Sequence, residues 1–393
     1  MAIPLGNSYS AATGKAIYAG LPAPASPTLG GFDSITFVSN ADGSPGASEN
    51  GSVLIVELHG SSGQNDFNGR QYRATVSGYM AFAGQTEFGF STVYAGAGFV
   101  KLRPIDDYNP AAGIKESMHM GFKRSDGTVH LITERRYDAM LAWADANLTM
   151  FNLNKRTLTG GSMGGWGTNS YGIRRHSQFA ALYPDRPRWS TNNFAGKVAL
   201  PDWDLNVIDS IDIGPTPLLA PEDGGGIYSD YLNMLAYVSN TANKVRWIGW
   251  CCGRNDGYAR FADQIAAVAA MRAAKRGFAF AWNDGNHATG SIMSQIFASY
   301  PHGTFSRDKG YPLFTDHSLD QDPNVDLVGM INGNLKFRNV TESANGWSCE
   351  VTSIASACTV KVEPISDVFL TAVAKQTVTI PAANTWVTVS FTA

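Results

Sequence analysis

Thr159-Gly160-Gly161-Ser162-Met163-Gly164-Gly165 decides how this chain is read. It is a G-x-S-x-G that follows a strand-like run, Arg156-Thr157-Leu158-Thr159, and precedes a segment expected to be helical. The glycines permit a tight, strained strand-to-helix turn with close backbone approach. Such a turn lifts a serine hydroxyl above a sheet, at the positive end of the following helix.

Moving outward, the flanking text has the rhythm of a parallel sheet covered on both faces. Ser52-Val53-Leu54-Ile55-Val56-Glu57-Leu58 is a near-continuous apolar strand, and Phe99-Val100-Lys101-Leu102 reads as another. Residues 133–148 have helical spacing, with Tyr137, Leu141 and Ala144 on one face. Further strands are expected at Phe179-Ala180-Ala181-Leu182-Tyr183, at 245–250 and at 278–282, with a helix over 258–275 that carries Phe261, Ile265 and Val268 on one stripe. Strands alternating with helices give an α/β class.

The boundaries follow from composition. Residues 1–50 are a Gly/Pro/Ala-rich extension with short strands, and Ser34-Ile35-Thr36-Phe37-Val38 is the clearest of them. Residues 51–318 form the catalytic-size unit, with an insertion at about 184–244 that contains Pro201-Asp202-Trp203-Asp204 and Glu222-Asp223-Gly224-Gly225-Gly226. From 327 to 393 the periodicity is that of short strands, as in a small β-sandwich-like module.

A serine hydroxyl needs a base, and His287 in Asn283-Asp284-Gly285-Asn286-His287 leaves the last alternating strand where a loop can return an imidazole over the turn. The other histidines considered, His119, His130, His176, His302 and His317, lie at positions that suit structural or solvated roles. An acid to orient His287 is expected at the carboxyl end of the preceding strand, where Cys252-Gly253-Arg254-Asn255-Asp256-Gly257 places Asp256. Asp284 competes by proximity but reads as a turn former, and Glu222 and Asp223 are weaker. An oxyanion hole needs two backbone N–H groups: Met163 supplies one, and the loop His59-Gly60-Ser61 supplies the other from Ser61, with Gly60 as alternative. His59 is then a loop-fixing residue.

With these residues in place, the chain resembles the α/β-hydrolase superfamily. Gly160 to Gly167, Phe179 to Tyr183, Gly253-x-x-Asp256 and Gly285-x-His287 are similar to its carbohydrate-esterase, feruloyl-esterase and polyester-depolymerase branches over roughly residues 50–300. The resemblance implies a cofactor-free serine esterase with Ser162 as nucleophile, His287 as base and Asp256 as acid, acting on an ester that is carbohydrate- or polymer-linked. A serine at the elbow argues against the branches that use aspartate there. A peptidase of the same fold and a non-catalytic carbohydrate-binding or adhesion protein are the rival readings. Trp166, Trp203, Tyr228 and Tyr258 fall on segments that could present an aromatic surface to substrate, though core packing suits each as well.

Composition sets outer limits. The 393 residues are 44% hydrophobic and 16% charged with a net charge of -3, enough apolar material for a large core and no basic footprint for nucleic acid. No run of about 18 apolar residues suggests a membrane span, and Met1-Ala2-Ile3-Pro4-Leu5-Gly6-Asn7 lacks the pattern of a secretory leader. The chain is therefore expected to be soluble, with secreted, cytosolic and phage-borne origins all compatible. Asp320, Asp322, Asn324 and Asp326 alternate as in a calcium loop, but Pro323 and the missing glycine favour a solvated linker, and no metal is expected. Cys251 and Cys252 are expected to be buried, whereas Cys349 and Cys358 could close a hairpin in an oxidising compartment.

Overall fold

The computed structural model describes residues 152–190, 228–367 and 375–392 continuously, together with short strands before 131 and between 197 and 221, and single positions between 119 and 145. The central sheet has seven strands. They are β1 (Val53–Leu58), β2 (Phe99–Leu102), β3 (Thr157–Gly161), β4 (Ala181–Asp185), β5 (Trp247–Gly253), β6 (Phe278–Asn283) and β8 (Gly329–Ile331). Their order is β8-β6-β5-β4-β3-β1-β2, parallel throughout except for β8, which runs antiparallel to β6.

Side-chain alternation along these strands separates two apolar layers. Leu54, Val56 and Leu58 of β1, Ile248, Trp250 and Cys252 of β5, and Phe278, Phe280 and Trp282 of β6 face one layer. Against them pack α1 (Met163–Arg174), α2 (Met234–Ser239) and α3 (Phe261–Ala273). The other layer receives Val53 and Ile55, Trp247 and Cys251, and Ala279 and Ala281. Here β6 offers only alanines, and the space is filled by Trp247, Tyr300 and Phe297, the last on α4 (Met293–Ser299). Helices thus cover both faces of a mostly parallel sheet.

The second layer is completed by strands. Two three-stranded antiparallel sheets follow: β7 (Tyr311–Thr315), β11 (Cys358–Ile365) and β12 (Gln376–Ile380) in the order β7-β11-β12, and β9 (Leu335–Ser343), β10 (Gly346–Ser353) and β13 (Val387–Thr392) in the order β9-β10-β13. Their buried residues, among them Trp347, Val351, Val360 and Phe391, belong to the same apolar cluster as Trp247 and Tyr300. The chain leaves the central sheet after β6 for β7, which pairs with β11, returns to it with β8 and leaves it again for β9, three crossings in all. Cys349 and Cys358 are free thiols on strands of different sheets, so they do not close a hairpin. Cys251 and Cys252 are buried, as their apolar setting led one to expect.

Nearer the amino terminus, Asp33–Val38 pairs with Lys15–Leu21 and with Gln71–Thr75. Lys197–Asp202 and Val207–Asp212 form an antiparallel pair within a separate, five-stranded sheet. Among the described positions of 133–148, Glu134, Tyr137, Leu141 and Asp145 are helical, and Tyr137 and Leu141 are buried.

Glu134 is buried beside them, accepting a hydrogen bond from Tyr231 Oη at 2.6 Å, with Arg175 Nη2 3.4 Å away. Burial, only partly offset by Arg175 and the tyrosine, raises its carboxyl from 4.5 to about 7. Between those values the folded chain keeps a proton that the unfolded chain has released, so stability falls as pH rises through the window. Denaturation midpoints measured from pH 5 to pH 7.5 should decline in the wild type more steeply than in Glu134→Gln; parallel profiles would refute this.

Candidate active site

Ser162 follows β3 directly and precedes α1, a helix of 12 residues in which Met163 to Ile173 are all buried. Its backbone has φ 57° and ψ -118°, a conformation that L side chains rarely adopt. Two hydrogen bonds hold it there: Ser162 N donates to Asp185 O at 3.0 Å, and Trp166 N donates to Ser162 O at 3.0 Å. The flanking glycines are required by contact. A Cβ on Gly160 would lie 2.4 Å from Gly164 O, and one on Gly165 would lie 2.2 Å from Asp185 O.

The parallel register then collects the remaining parts at one end of the sheet. Gly161 is level with Asp185, Asp185 with Cys251 and Cys251 with Ala281, so the loops after β3, β4, β5 and β6 emerge together. Asp256, in the loop after β5, is 3% exposed. Its Oδ1 accepts from the backbone N–H of Tyr258 and Ala259, both at 2.8 Å, and its Oδ2 lies 2.7 Å from His287 Nδ1. Burial alone would raise this carboxyl, but the imidazole and the two amides outweigh it and leave it below the usual carboxylate range. Asp256 is therefore an anion that holds the Nδ1–H tautomer, and His287 Nε2 stands 2.7 Å from Ser162 Oγ as an acceptor.

The loop bearing His287 is pinned by its own amides. Asn286 Oδ1 accepts from Ala288 N at 2.9 Å and Thr289 N at 3.2 Å, and Asn283 Oδ1 accepts from Gly285 N at 3.0 Å. Asp284 is exposed and accepts from Asn255 Nδ2 at 2.9 and 3.0 Å, turned to that neighbour while the histidine is bound to Asp256. Other histidines are engaged elsewhere: His119 with Tyr137 Oη at 2.5 Å, His302 with Thr157 Oγ1 at 2.8 Å and His317 with Asp320 at 2.9 Å. His176 is half-buried before β4, and the His130 side chain lies outside the described residues.

Met163 opens α1, where the first amides have no acceptor inside the helix and carry the positive end of its dipole. His59, Gly60 and Ser61, where the second oxyanion donor is expected, lie outside the described residues, as do Trp203, Glu222 and Asp223. The Tyr228 side chain lies outside them as well. Of the other aromatics, Tyr258 is brought to the site: it is 67% exposed, with its ring 5.0 Å from the His287 ring. Trp166 is not presented to solvent but buried, under the Arg188 guanidinium. The loop at Asp320 to Asp326 closes on itself, with Asp322 Oδ1 accepting from Asn324 N and Asp326 Oδ2 from Asp322 N, at 2.9 and 2.7 Å.

One participant has no motif in the sequence. Arg186, the first residue after β4, has φ 52° and is 7% exposed. Its Nε and Nη2 form a two-pronged pair with the Asp185 carboxylate at 3.1 and 2.9 Å, its N–H donates to Cys251 O at 2.9 Å, and its Nη1 donates to His287 O. Since Asp185 O also accepts from Ser162 N, the Asp185–Arg186 pair ties the backbones of nucleophile and base together. Arg186→Gln should lower kcat about a hundredfold with KM nearly unchanged, and Arg186→Lys should recover part of the loss. Equal changes in kcat and KM, or none, would assign Arg186 to stability alone.

No family model and no curated protein matches the sequence. Among solved structures the chain is similar to FphF, a fluorophosphonate-binding serine hydrolase of Staphylococcus aureus, at 15% identity over 70% of this chain and 91% of that one, with a TM-score of 0.41. It is similar to an S-formylglutathione hydrolase from Agrobacterium tumefaciens at 11% identity over 71% and 90%, with a TM-score of 0.41. It is also similar to dipeptidyl peptidase 4 of Porphyromonas gingivalis at 15% identity, with a TM-score of 0.38, covering 61% of this chain and 28% of that longer one. Among the described residues no helix is long and apolar enough to cross a membrane. On their own geometry, the strand order, the elbow at Ser162 and the Ser–His–Asp relay are those of a serine hydrolase built on the α/β-hydrolase fold.

Proposed function

We propose that the chain is a serine esterase that cleaves carboxylic esters through an acyl-enzyme, and that its natural ester is attached to a carbohydrate or polymer. The relay carries the reading: Ser162 Oγ, His287 Nε2, His287 Nδ1 and Asp256 Oδ2 are joined by two 2.7 Å hydrogen bonds above a strained elbow. As Ser162 Oγ attacks the ester carbonyl, its proton passes to His287 Nε2, and the imidazolium is stabilised by Asp256. The Met163 N–H and a donor from the Gly60–Ser61 loop receive the developing oxyanion. His287 returns the proton to the departing alkoxide, and a water activated by the same imidazole releases the acid. The exposed ring of Tyr258 beside His287 supports the substrate class, offering a face on which a sugar or an aromatic acyl group stacks.

The test is hydrolysis of p-nitrophenyl acetate and of an acyl p-nitroanilide, with a fluorophosphonate label followed by peptide mapping. Ester turnover well above amide turnover, and a label on the Ser162 peptide, are the expected results. Faster amide cleavage would move the assignment to a peptidase, and no turnover with no label would reject catalysis.

A further inference from the structure

At the opposite end of the central sheet from Ser162, where β4, β5 and β6 begin, and beside the start of β7, lies a cavity of about 410 Å³. Its walls come from the segments just before those strands, from Glu342 near the end of β9 and from the end of β11, so it sits on the seam between the central sheet and the carboxyl-terminal strands. The seven residues of β5 separate Arg246 from the Asp256 loop, on the order of 20 Å at about 3.3 Å per residue.

The wall is cationic. Lys244, Arg246, Arg276, Arg307 and Lys309 line it, against Asp308, Glu342 and Asp367. The carboxylates are already engaged: Asp367 with Lys244 at 3.2 Å, Glu342 with Gly310 N at 2.9 Å, and Asp308 with Asn154 Nδ2 at 2.9 Å and with Ser306 Oγ. Among the described residues the three guanidinium groups bond backbone carbonyls alone. Arg246 donates to His176 O and Arg307 O, both at 3.2 Å; Arg276 donates to Asn240 O and Asn243 O at 2.9 and 2.6 Å; Arg307 donates to Ser177 O at 2.9 Å. None has a carboxylate partner among the described residues, and Arg307 Nε is buried without any acceptor. Carbonyl bonds fix the guanidinium planes without placing a carboxylate in contact with them, and burial holds Arg276 and Arg307 below the ordinary guanidinium value.

We propose that this cavity binds a small organic oxyanion, a phosphate, sulfate or carboxylate on a sugar-sized body, at a site separate from the catalytic one. Three half-buried guanidiniums held by carbonyls present forked donors suited to such a group. Tyr311 and Ile365 supply apolar wall, and the volume lies within the usual range for small-ligand sites. The site is independent of the esterase reading.

Isothermal titration of the full chain with sodium phosphate, sodium sulfate and sodium glucuronate, at ionic strength matched with chloride, tests it. At least one should bind saturably at one site per chain. Preference for the tetrahedral anions or for glucuronate then identifies the group. Affinity should fall about tenfold in Arg246→Gln and about threefold in Lys309→Gln, an exposed position whose loss spares the fold, and should be unchanged in Ser162→Ala. No saturable binding of any of the three, equal affinity in both cavity variants, or loss of binding in Ser162→Ala would each overturn the proposal.

Discussion

Ser162→Ala should lower kcat for p-nitrophenyl acetate by about a millionfold while leaving the thermal midpoint close to wild type. The size of the loss follows from position. Ser162 Oγ is the atom 2.7 Å from His287 Nε2, and removing it leaves water to attack an ester held only by the oxyanion donors. The fold should be spared because both elbow hydrogen bonds, to Asp185 O and from Trp166 N, are backbone bonds that alanine retains. The strain at φ 57° falls on the Cβ, which serine and alanine share. Steady-state kinetics beside far-ultraviolet circular dichroism decide the matter. A folded variant with wild-type turnover would remove Ser162 from the mechanism.

What could be read in advance was whatever is carried by short local patterns. A G-x-S-x-G between strand and helix, and loops beginning Gly253-Arg254 and Asp284-Gly285, each state their geometry within a few residues. Asp256 and His287 could therefore be placed at strand ends before any distance was known. Arg186 gave no such sign, because its role depends on Asp185 beside it, on Cys251 from the neighbouring strand and on His287 101 residues away. The membership of β8 was hidden for a similar reason. Gly329–Ile331 is three residues long, follows a polar loop and enters the central sheet only through its antiparallel register with Phe280 to Trp282. The cationic cavity is assembled from the amino ends of several strands, so no single stretch contains it. Trp166 shows the converse limit. Its place one turn beyond the nucleophile suits a substrate contact, but α1 is buried nearly throughout and takes the indole into the interior.

Asp256→Asn should lower kcat by about 10⁴-fold with little loss of stability, because of the way the new amide must sit. Asp256 Oδ1 accepts two backbone N–H groups, from Tyr258 and Ala259, each at 2.8 Å. An asparagine keeps those bonds only by placing its carbonyl oxygen there, which turns its NH₂ toward His287 Nδ1, where the carboxylate oxygen stood at 2.7 Å. Two donors cannot face each other, so Nδ1 becomes the acceptor and the ring proton moves to Nε2. The nitrogen facing Ser162 Oγ is then already protonated and cannot take the serine proton. The reverse orientation would break both loop bonds and leave buried amides unpaired, at about 1–3 kcal/mol each. Asp284→Asn is the matched control: that side chain is exposed and bound to Asn255, so its kcat should stay within about threefold of wild type. Measuring kcat and kcat/KM for both variants separates the two acids. A mild Asp256→Asn beside a crippled Asp284→Asn would mean that His287 takes its orientation from the other loop when substrate is bound.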